Sequence, residues 1–163
     1  MNNGESLKIF SLLVENKPGV LFRVSSHFRR RNYNIESIAV GPTEDRSVAR
    51  MVITMMADDE TADSFIRLLR RTVDVIDVVR MEEEDAILRE LAIVKIRAND
   101  LQTRNSILTM ANAFGAKVLD VTKNSVTVEL TGSPSKIDSF IALASDFGVK
   151  GVSRTGVTAL SRG

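Results

Sequence analysis

The chain has 163 residues, and 22 Lys and Arg against 21 Asp and Glu give it a net charge of +1. Its 44% hydrophobic and 26% charged residues are typical of a globular protein, and the charge balance excludes an overall field that would attract nucleic acid or a membrane surface. The absence of cysteine excludes a disulfide framework, a thiolate nucleophile and a cysteine metal site. No apolar run approaches the roughly 20 residues that span a bilayer, and the polar start is no signal peptide, so we expect a cytoplasmic protein.

The first 80 residues predict the element order βαββαβ. Hydrophobic periodicity and turn residues predict strands at 7–14, 34–41, 47–56 and 73–80, and helices at 18–31 and 61–71. This order is that of the split βαβ, or ferredoxin-like, arrangement.

An acidic run, Glu82 to Asp85, is the sharpest change of composition in the chain, and a run of like charge favours solvent. The same order of elements then starts again. It comprises predicted strands at 91–97, 116–122, 125–131 and from Val149, and predicted helices at 101–114 and 134–147. The sequence therefore predicts an α+β fold with two tandem ferredoxin-like βαββαβ domains, at 1–81 and 89–163, joined by an acidic linker at 82–88.

Two predicted strands of the first domain are apolar on both faces, at 10–14 and 51–56. A βαββαβ unit has helices on one face of its sheet only, so the second face needs a cover. The other half of the chain, another copy or a different protein could supply it. Phe22 falls outside the apolar stripe of the first helix, so we expect it to be exposed, either tolerated there or in contact with a partner.

A strand–turn–helix corner at 14–21 is the most informative local feature. Pro18 has a preset φ and suits the first turn of a helix, while Gly19 lets another group approach the backbone closely. The free amide N–H groups and the positive dipole end of the helix would receive a small anion. The Asn16 amide both donates and accepts, which suits a ligand with a carboxylate and an ammonium. The same residues are also typical of an ordinary tight turn that starts a helix.

A second asparagine, Asn34, follows the first helix and opens the next predicted strand. In this position its amide would lie near a turn or a helix end. Ile35 beside it is apolar.

The residues for most enzyme chemistries are missing. The single histidine, His27, is interpreted as structural, because one histidine without cysteine makes no plausible zinc site. Phosphate-binding glycine loops and a nucleophile elbow are absent. The arginines that end the first helix complement its dipole, and six of the seven Phe residues fall in predicted helices, which argues against an RNA-binding sheet.

The chain closely resembles the small, regulatory subunits of acetolactate synthase (acetohydroxyacid synthase), whose N-terminal domain is an ACT domain. The resemblance lies in ENKPGVLFRV at 15–24, RNYNIESI at 31–38, VDVIDV at 73–78, RELAIVKI at 89–96, and RTG followed by ALSRG within 154–163. It covers essentially the whole chain.

The resemblance implies a non-catalytic subunit that binds a large catalytic subunit, raises its activity and confers feedback inhibition by branched-chain amino acids, chiefly valine. Thiamine diphosphate, magnesium and FAD would lie on the catalytic subunit, with no cofactor in this chain. Two ACT domains would pair side by side in a homodimer, with the effector at their interface. Asn16 and Asn34 would hold its polar end. The amides around Gly19, Val20 and Leu21 would take its carboxylate, and Ile35 would line the side-chain pocket.

Two other classes stay open without the resemblance. One is a stand-alone amino-acid sensor that controls transcription or another pathway, although no DNA-reading helix-turn-helix is visible. The other is a small enzyme on a ferredoxin-like scaffold, which the missing catalytic residues disfavour.

Overall fold

The computed structural model describes residues 4–163, which form two compact units. The first unit comprises the chain up to Ile87 together with Val157–Gly163, and the second comprises Leu88–Gly156. The sequence-based division differs from this one at two places. The strand that opens the second repeat begins at Ala86, inside the predicted linker, and the last seven residues belong to the first unit.

The first unit contains the predicted βαββαβ order. Its elements are β1 (Ser6–Glu15), α1 (Val20–Arg30), β2 (Ser37–Pro42), β3 (Val48–Ala57), α2 (Asp59–Leu69) and β4 (Val75–Met81). The sheet order is β2-β3-β1-β4, and each neighbouring pair is antiparallel. β2 is therefore an edge strand, and β1 runs parallel to it on the far side of β3.

The second unit repeats this order, and the predicted α+β class with two ferredoxin-like repeats is confirmed. Its elements are β5 (Ala86–Arg97), α3 (Leu101–Ala113), β6 (Lys117–Val121), β7 (Ser125–Gly132), α4 (Pro134–Ser145) and β8 (Val149–Arg154). The sheet order is β6-β7-β5-β8. A short strand that the sequence did not predict, β9 (Thr158–Ser161), pairs with β5.

Each unit has its own apolar core between its helices and one face of its sheet. In the first, Phe10 and Leu12 of β1 pack with Val24 and Phe28 of α1 and Phe65 of α2. The Phe28 and Phe65 ring centroids are 4.8 Å apart. Burial of apolar side chains such as these is the dominant favourable term in folding.

The second face of the first sheet is partly covered by the end of the chain itself. Ser11, Val52 and Thr54 alternate with the core residues of their strands and are nevertheless buried. Val157 is buried in the same unit, and its N–H donates to Ser37 Oγ at 3.5 Å. The cover that the apolar strands required is thus supplied in part by a segment that the sequence analysis assigned to the other domain.

Candidate effector site

The predicted corner forms between β1 and α1, but the helix begins two residues later than expected. The Lys17 N–H donates to the Glu15 carbonyl at 2.9 Å, and Gly19 has φ 87°. A positive φ cannot continue into a right-handed helix, so Pro18 lies in the turn and α1 begins at Val20. The prediction that Pro18 lies in the first turn of the helix was wrong. Glycine is needed at 19 because its positive φ is unfavourable for residues with a Cβ.

The amino end of α1 presents free backbone donors. Gly19 is its cap residue, no side chain caps it, and no acidic residue lies in its first turn. The Val20 N–H makes a long hydrogen bond of 3.5 Å to the Lys17 carbonyl. Within residues 4–163, the N–H groups of Leu21 and Phe22 make no hydrogen bond. These two donors and the helix dipole suit a small carboxylate.

The side chains of the three predicted corner residues differ in what they offer a ligand. Gly19 has none, and Val20 is 3% exposed and belongs to the core, so these two residues offer only backbone atoms. Leu21 is 49% exposed and Phe22 is 70% exposed. The expected exposure of Phe22 is confirmed, and the residue adds an amide donor and an aromatic surface that the predicted set did not include.

Asn16 is fixed against the loop that precedes β3. Its N–H donates to the Ser47 carbonyl at 2.7 Å, and its side-chain Nδ2 donates to the Arg46 carbonyl at 2.9 Å. The residue is exposed, and within the described part of the chain its side-chain amide makes this one hydrogen bond. Its Oδ1 and second N–H remain available for a ligand.

Asn34 lies at the opposite end of the sheet. The neighbouring Glu36 N–H donates to the Thr54 carbonyl at 2.9 Å, and Ser37 is paired with Thr54. The Asn34 side chain is exposed and donates to Glu36 Oε1 at 3.3 Å. Ile35 is half-buried against the first core.

The distance between the two asparagines follows from the strand register. Glu15, which precedes Asn16, is paired with Val48, whereas Ser37 is paired with Thr54. Six residues of β3 separate these two partners, which is about 20 Å at strand spacing. One copy of the first unit therefore cannot bring Asn16 and Asn34 to the same small ligand.

A network of four charged side chains surrounds the corner. Lys17 pairs with Glu15, and Arg23 in the first turn of α1 pairs with the carboxylate of Asp74. The hydrogen bond and the charge of Glu15 raise the pKa of Lys17, so this ammonium stays protonated at physiological pH. Arg23 and Asp74 were not among the predicted site residues, because nothing in their spacing indicates that the turn before β4 reaches α1.

His27 has a structural environment. Its Nε2 lies 2.9 Å from Thr72 Oγ1, and burial lowers its pKa, with a further contribution from the charges of Arg30 and Arg31. Among residues 4–163 no cluster of His, Asp and Glu could hold a metal ion. In the same range, no helix has the length and apolar character needed to cross a bilayer.

Comparison with known proteins identifies both halves of the chain. Residues 10–77 match the profile of the AHAS small subunit-like ACT domain, and residues 89–163 match that of the small subunit of acetolactate synthase. The chain belongs to the acetolactate synthase small-subunit family. The resemblance seen in the sequence is therefore confirmed.

Individual relatives match this chain over almost their full length. The acetolactate synthase small subunit of Mycolicibacterium smegmatis is 42% identical over 163 residues, which cover 100% of this chain and 95% of the relative. A probable small subunit from Methanothermobacter thermautotrophicus is 43% identical over 155 residues, covering 95% and 92%. The crystal structure of the Thermotoga maritima small subunit superposes with a TM-score of 0.84 at 33% identity, covering 97% and 98%. Membership of this family supports a regulatory-subunit role.

Proposed function

We propose that this protein is the non-catalytic regulatory subunit of acetolactate synthase in branched-chain amino-acid biosynthesis. It binds the large, thiamine-diphosphate-dependent catalytic subunit in the cytoplasm, raises its activity and makes it sensitive to feedback inhibition by valine. Thiamine diphosphate, magnesium and FAD belong to the catalytic subunit, and this chain has no active site of its own. Family membership supports the pairing with a catalytic subunit.

The separation of Asn16 and Asn34 along β3 carries the proposal for the effector site. A free amino acid is only a few ångströms long, so it cannot contact both side chains of one copy across about 20 Å of sheet. If both asparagines hold the effector, the site is shared between two copies. A homodimer is then required for effector binding.

Pairing of β2 with β2 of a second copy would form such a site. In an antiparallel, two-fold pair, the amino end of one β2 lies beside the carboxyl end of the other. Pro42, at the carboxyl end, is in register with Ala49, which is in register with Val14, so this end of the sheet also carries Asn16. The partner's Asn34 would come to this end, where three strand spacings of about 5 Å each separate the partner's β2 from β1, less than the separation of the two asparagines within one copy.

The composition of β2 favours this pairing. Edge strands that avoid association commonly carry charged residues, whereas the β2 sequence SIAVGP has none. β4, the other edge of the same sheet, carries Asp77 and Arg80. Within residues 4–163, β2 pairs with β3 alone, and Val40 at its edge is 51% exposed.

The shared site explains how valine would act at a distance from the catalytic centre. The Leu21 and Phe22 amides take the carboxylate, the two asparagine amides hold the polar end, and Ile35 of the second copy contributes apolar surface. Valine stabilises the dimer geometry that it fits best. It can shift the activity of the holoenzyme by its difference in affinity between two states, typically about 1–3 kcal/mol.

Acetolactate formation by the catalytic subunit, with and without this protein across a valine titration, tests the proposal. We expect activation without valine and progressive inhibition as valine is added. Activation that no branched-chain amino acid reverses would contradict the effector role and leave the activating role. No effect of the protein on the catalytic subunit would contradict the proposed function as a whole and favour a stand-alone sensor.

A further inference from the structure

Asp74 has an unusual backbone conformation directly before β4. It is one of two non-glycine residues with a positive φ among residues 4–163, at 72°; the other is Asn32, at 58°. Residues with a Cβ rarely adopt this region, and they persist in it where surrounding contacts hold them. The Asp74 side chain is only 9% exposed, so those contacts are extensive.

Three contacts join Asp74 to the candidate corner. Its carbonyl accepts a hydrogen bond from the Glu15 N–H at 2.8 Å, and its carboxylate pairs with the Arg23 guanidinium. Lys17 Nζ lies 4.0 Å from the same carboxylate. Asp74 therefore contacts the strand before Asn16, the turn itself and the helix after Gly19.

Arg23 carries this restraint to Gly19. The Arg23 N–H donates to the Gly19 carbonyl at 3.0 Å, which starts α1. Its Nη1 lies 3.7 Å from the point that a Cβ on Gly19 would occupy. Both ends of Arg23 thus lie against the glycine, and the Asp74 carboxylate holds the guanidinium in place.

The charges of this network sum to zero, because Glu15 and Asp74 balance Lys17 and Arg23. A neutral corner suits a zwitterion, whose ammonium would be repelled by an unpaired guanidinium. Loss of the Asp74 carboxylate would leave an excess positive charge beside the free Leu21 and Phe22 amides. The corner would then favour a simple anion over an amino acid.

We infer that Asp74 is a positioning residue of the effector corner, which acts through Arg23 and makes the corner selective for a zwitterion. The inference rests on the proposed function for the identity of the ligand. It does not require Asp74 to touch that ligand.

The informative variant is Asp74→Gly, because glycine retains the positive φ without strain while it removes the side chain that carries the carboxylate. Asn32→Gly is the matched control, since it makes the same change at the other positive-φ position, where the structure gives no contact with the corner. Valine and its 2-oxo acid, which lacks the ammonium, are titrated by calorimetry into the full-length protein. We expect Asp74→Gly to weaken valine binding by about tenfold and to reduce the preference for valine over the 2-oxo acid, while Asn32→Gly changes neither.

Two further measurements separate a positioning role from a general loss of stability. Arg23→Met should also weaken valine binding, because it breaks the same contact, but it leaves an excess negative charge and should not reduce the preference for valine over the 2-oxo acid. The double variant, whose corner is neutral again, should bind valine no more weakly than either single one. Hydrogen exchange of the ligand-free protein should be faster at the hydrogen-bonded amides of Lys17, Val20 and Arg23 in Asp74→Gly and unchanged there in Asn32→Gly.

The exchange measurement also distinguishes failure of this inference from failure of the proposed function. If the wild-type protein binds no branched-chain amino acid, the proposed effector role fails, and faster exchange in Asp74→Gly still supports the positioning role. Wild-type exchange at these three amides, or wild-type valine affinity, in Asp74→Gly would overturn the inference.

Discussion

Asn16 and Asn34 stand at opposite ends of one sheet, six residues of β3 apart by register. Each is exposed, and each is fixed close to a strand end by a hydrogen bond within its own copy. Two side chains this far apart in one copy cannot contact the same small ligand. If both residues serve one effector, the effector site belongs to a dimer.

The first prediction concerns Gly19. We expect Gly19→Ala to weaken valine binding, because a residue with a Cβ loses about 1–2 kcal/mol in the left-handed region and the turn must shift to relieve the strain. Gly19→Asp should remove valine inhibition, since it adds a negative charge where the carboxylate of valine would bind. Both variants should still activate the catalytic subunit.

Gly151→Ala is the control for Gly19→Ala. Gly151 has no positive φ, and an added Cβ there would meet no atom within 4 Å. Valine inhibition and activation are measured in the same assay of acetolactate formation. Equal loss of activation and inhibition in the Gly19 variants would contradict separate roles for the corner and the catalytic-subunit contact.

The second prediction concerns the β2 edge. Val40→Lys should weaken the homodimer by at least about tenfold, because it places a charge in the centre of an uncharged pairing edge. Val79→Lys on β4 makes the same change at a residue of similar exposure on the other edge of the sheet. Sedimentation equilibrium of both variants measures the dissociation constants. A dimer that weakens with Val79→Lys and not with Val40→Lys would show that the interface lies at β4, which contradicts pairing through β2.

The third prediction concerns an ion pair in the second unit. Glu90 is 3% exposed as a side chain, and both of its oxygens accept hydrogen bonds of 2.7 Å from Arg154. Arg154→Met would leave this carboxylate buried without its partner. Because Arg154 itself is 34% exposed, we expect a loss of about 1–3 kcal/mol in the free energy of unfolding, less than for a fully buried pair.

Urea denaturation of the full chain measures this loss. Asp138→Ala is the control, since Asp138 binds the same arginine at 2.7 Å but is 64% exposed, and its removal should have a much smaller effect. A larger loss for Asp138→Ala than for Arg154→Met would show that burial of Glu90 does not determine the energetics.

The fourth prediction concerns stability in acid. Asp58 and Asp100 cap α2 and α3, and hydrogen bonds from the Thr61 and Thr103 N–H groups lower the pKa of their carboxyls. A lowered pKa in the folded state stabilises the protein above the unfolded value of about 3.9, and this stabilisation is lost as the pH falls through the folded pKa. The free energy of unfolding should therefore decrease as the pH is lowered from 7 to 3.

Asp58→Ser separates the titration from the cap. Serine still accepts a hydrogen bond at the helix start and does not titrate in this range, so the acid-dependent decrease should be smaller than in the wild-type protein. An unchanged decrease would show that other carboxylates dominate the acid response.

Much of the fold could be predicted from local pattern. Amphipathic spacing identified the four helices that the structure describes within residues 4–163, and the helix that contains Ala62, Phe65 and Leu69 buries these three residues. β9 was missed because its four residues are too few to show a period, and because its pairing with β5 is a contact between distant parts of the sequence. The start of α1 was misplaced because the proline signal was given more weight than the glycine that follows it.

The geometry of the candidate site was not predictable from local pattern. The separation of Asn16 and Asn34 depends on the register of three strands, which local pattern does not determine. Asp74 was missed for a related reason, since aspartate rarely adopts a positive φ and its partner Arg23 lies 51 residues away in the chain. Long-range pairing therefore limits prediction at both places.

A mixing experiment tests the shared site most directly. Asn16→Ala and Asn34→Ala proteins are prepared separately, and neither should bind valine with wild-type affinity. When equal amounts are mixed and allowed to exchange subunits, about half of the dimers contain one copy of each variant. Each mixed dimer has one intact site, so calorimetry should recover about a quarter of the wild-type number of high-affinity valine sites. Recovery of no high-affinity sites, after subunit exchange has been verified, would contradict a site shared between two copies.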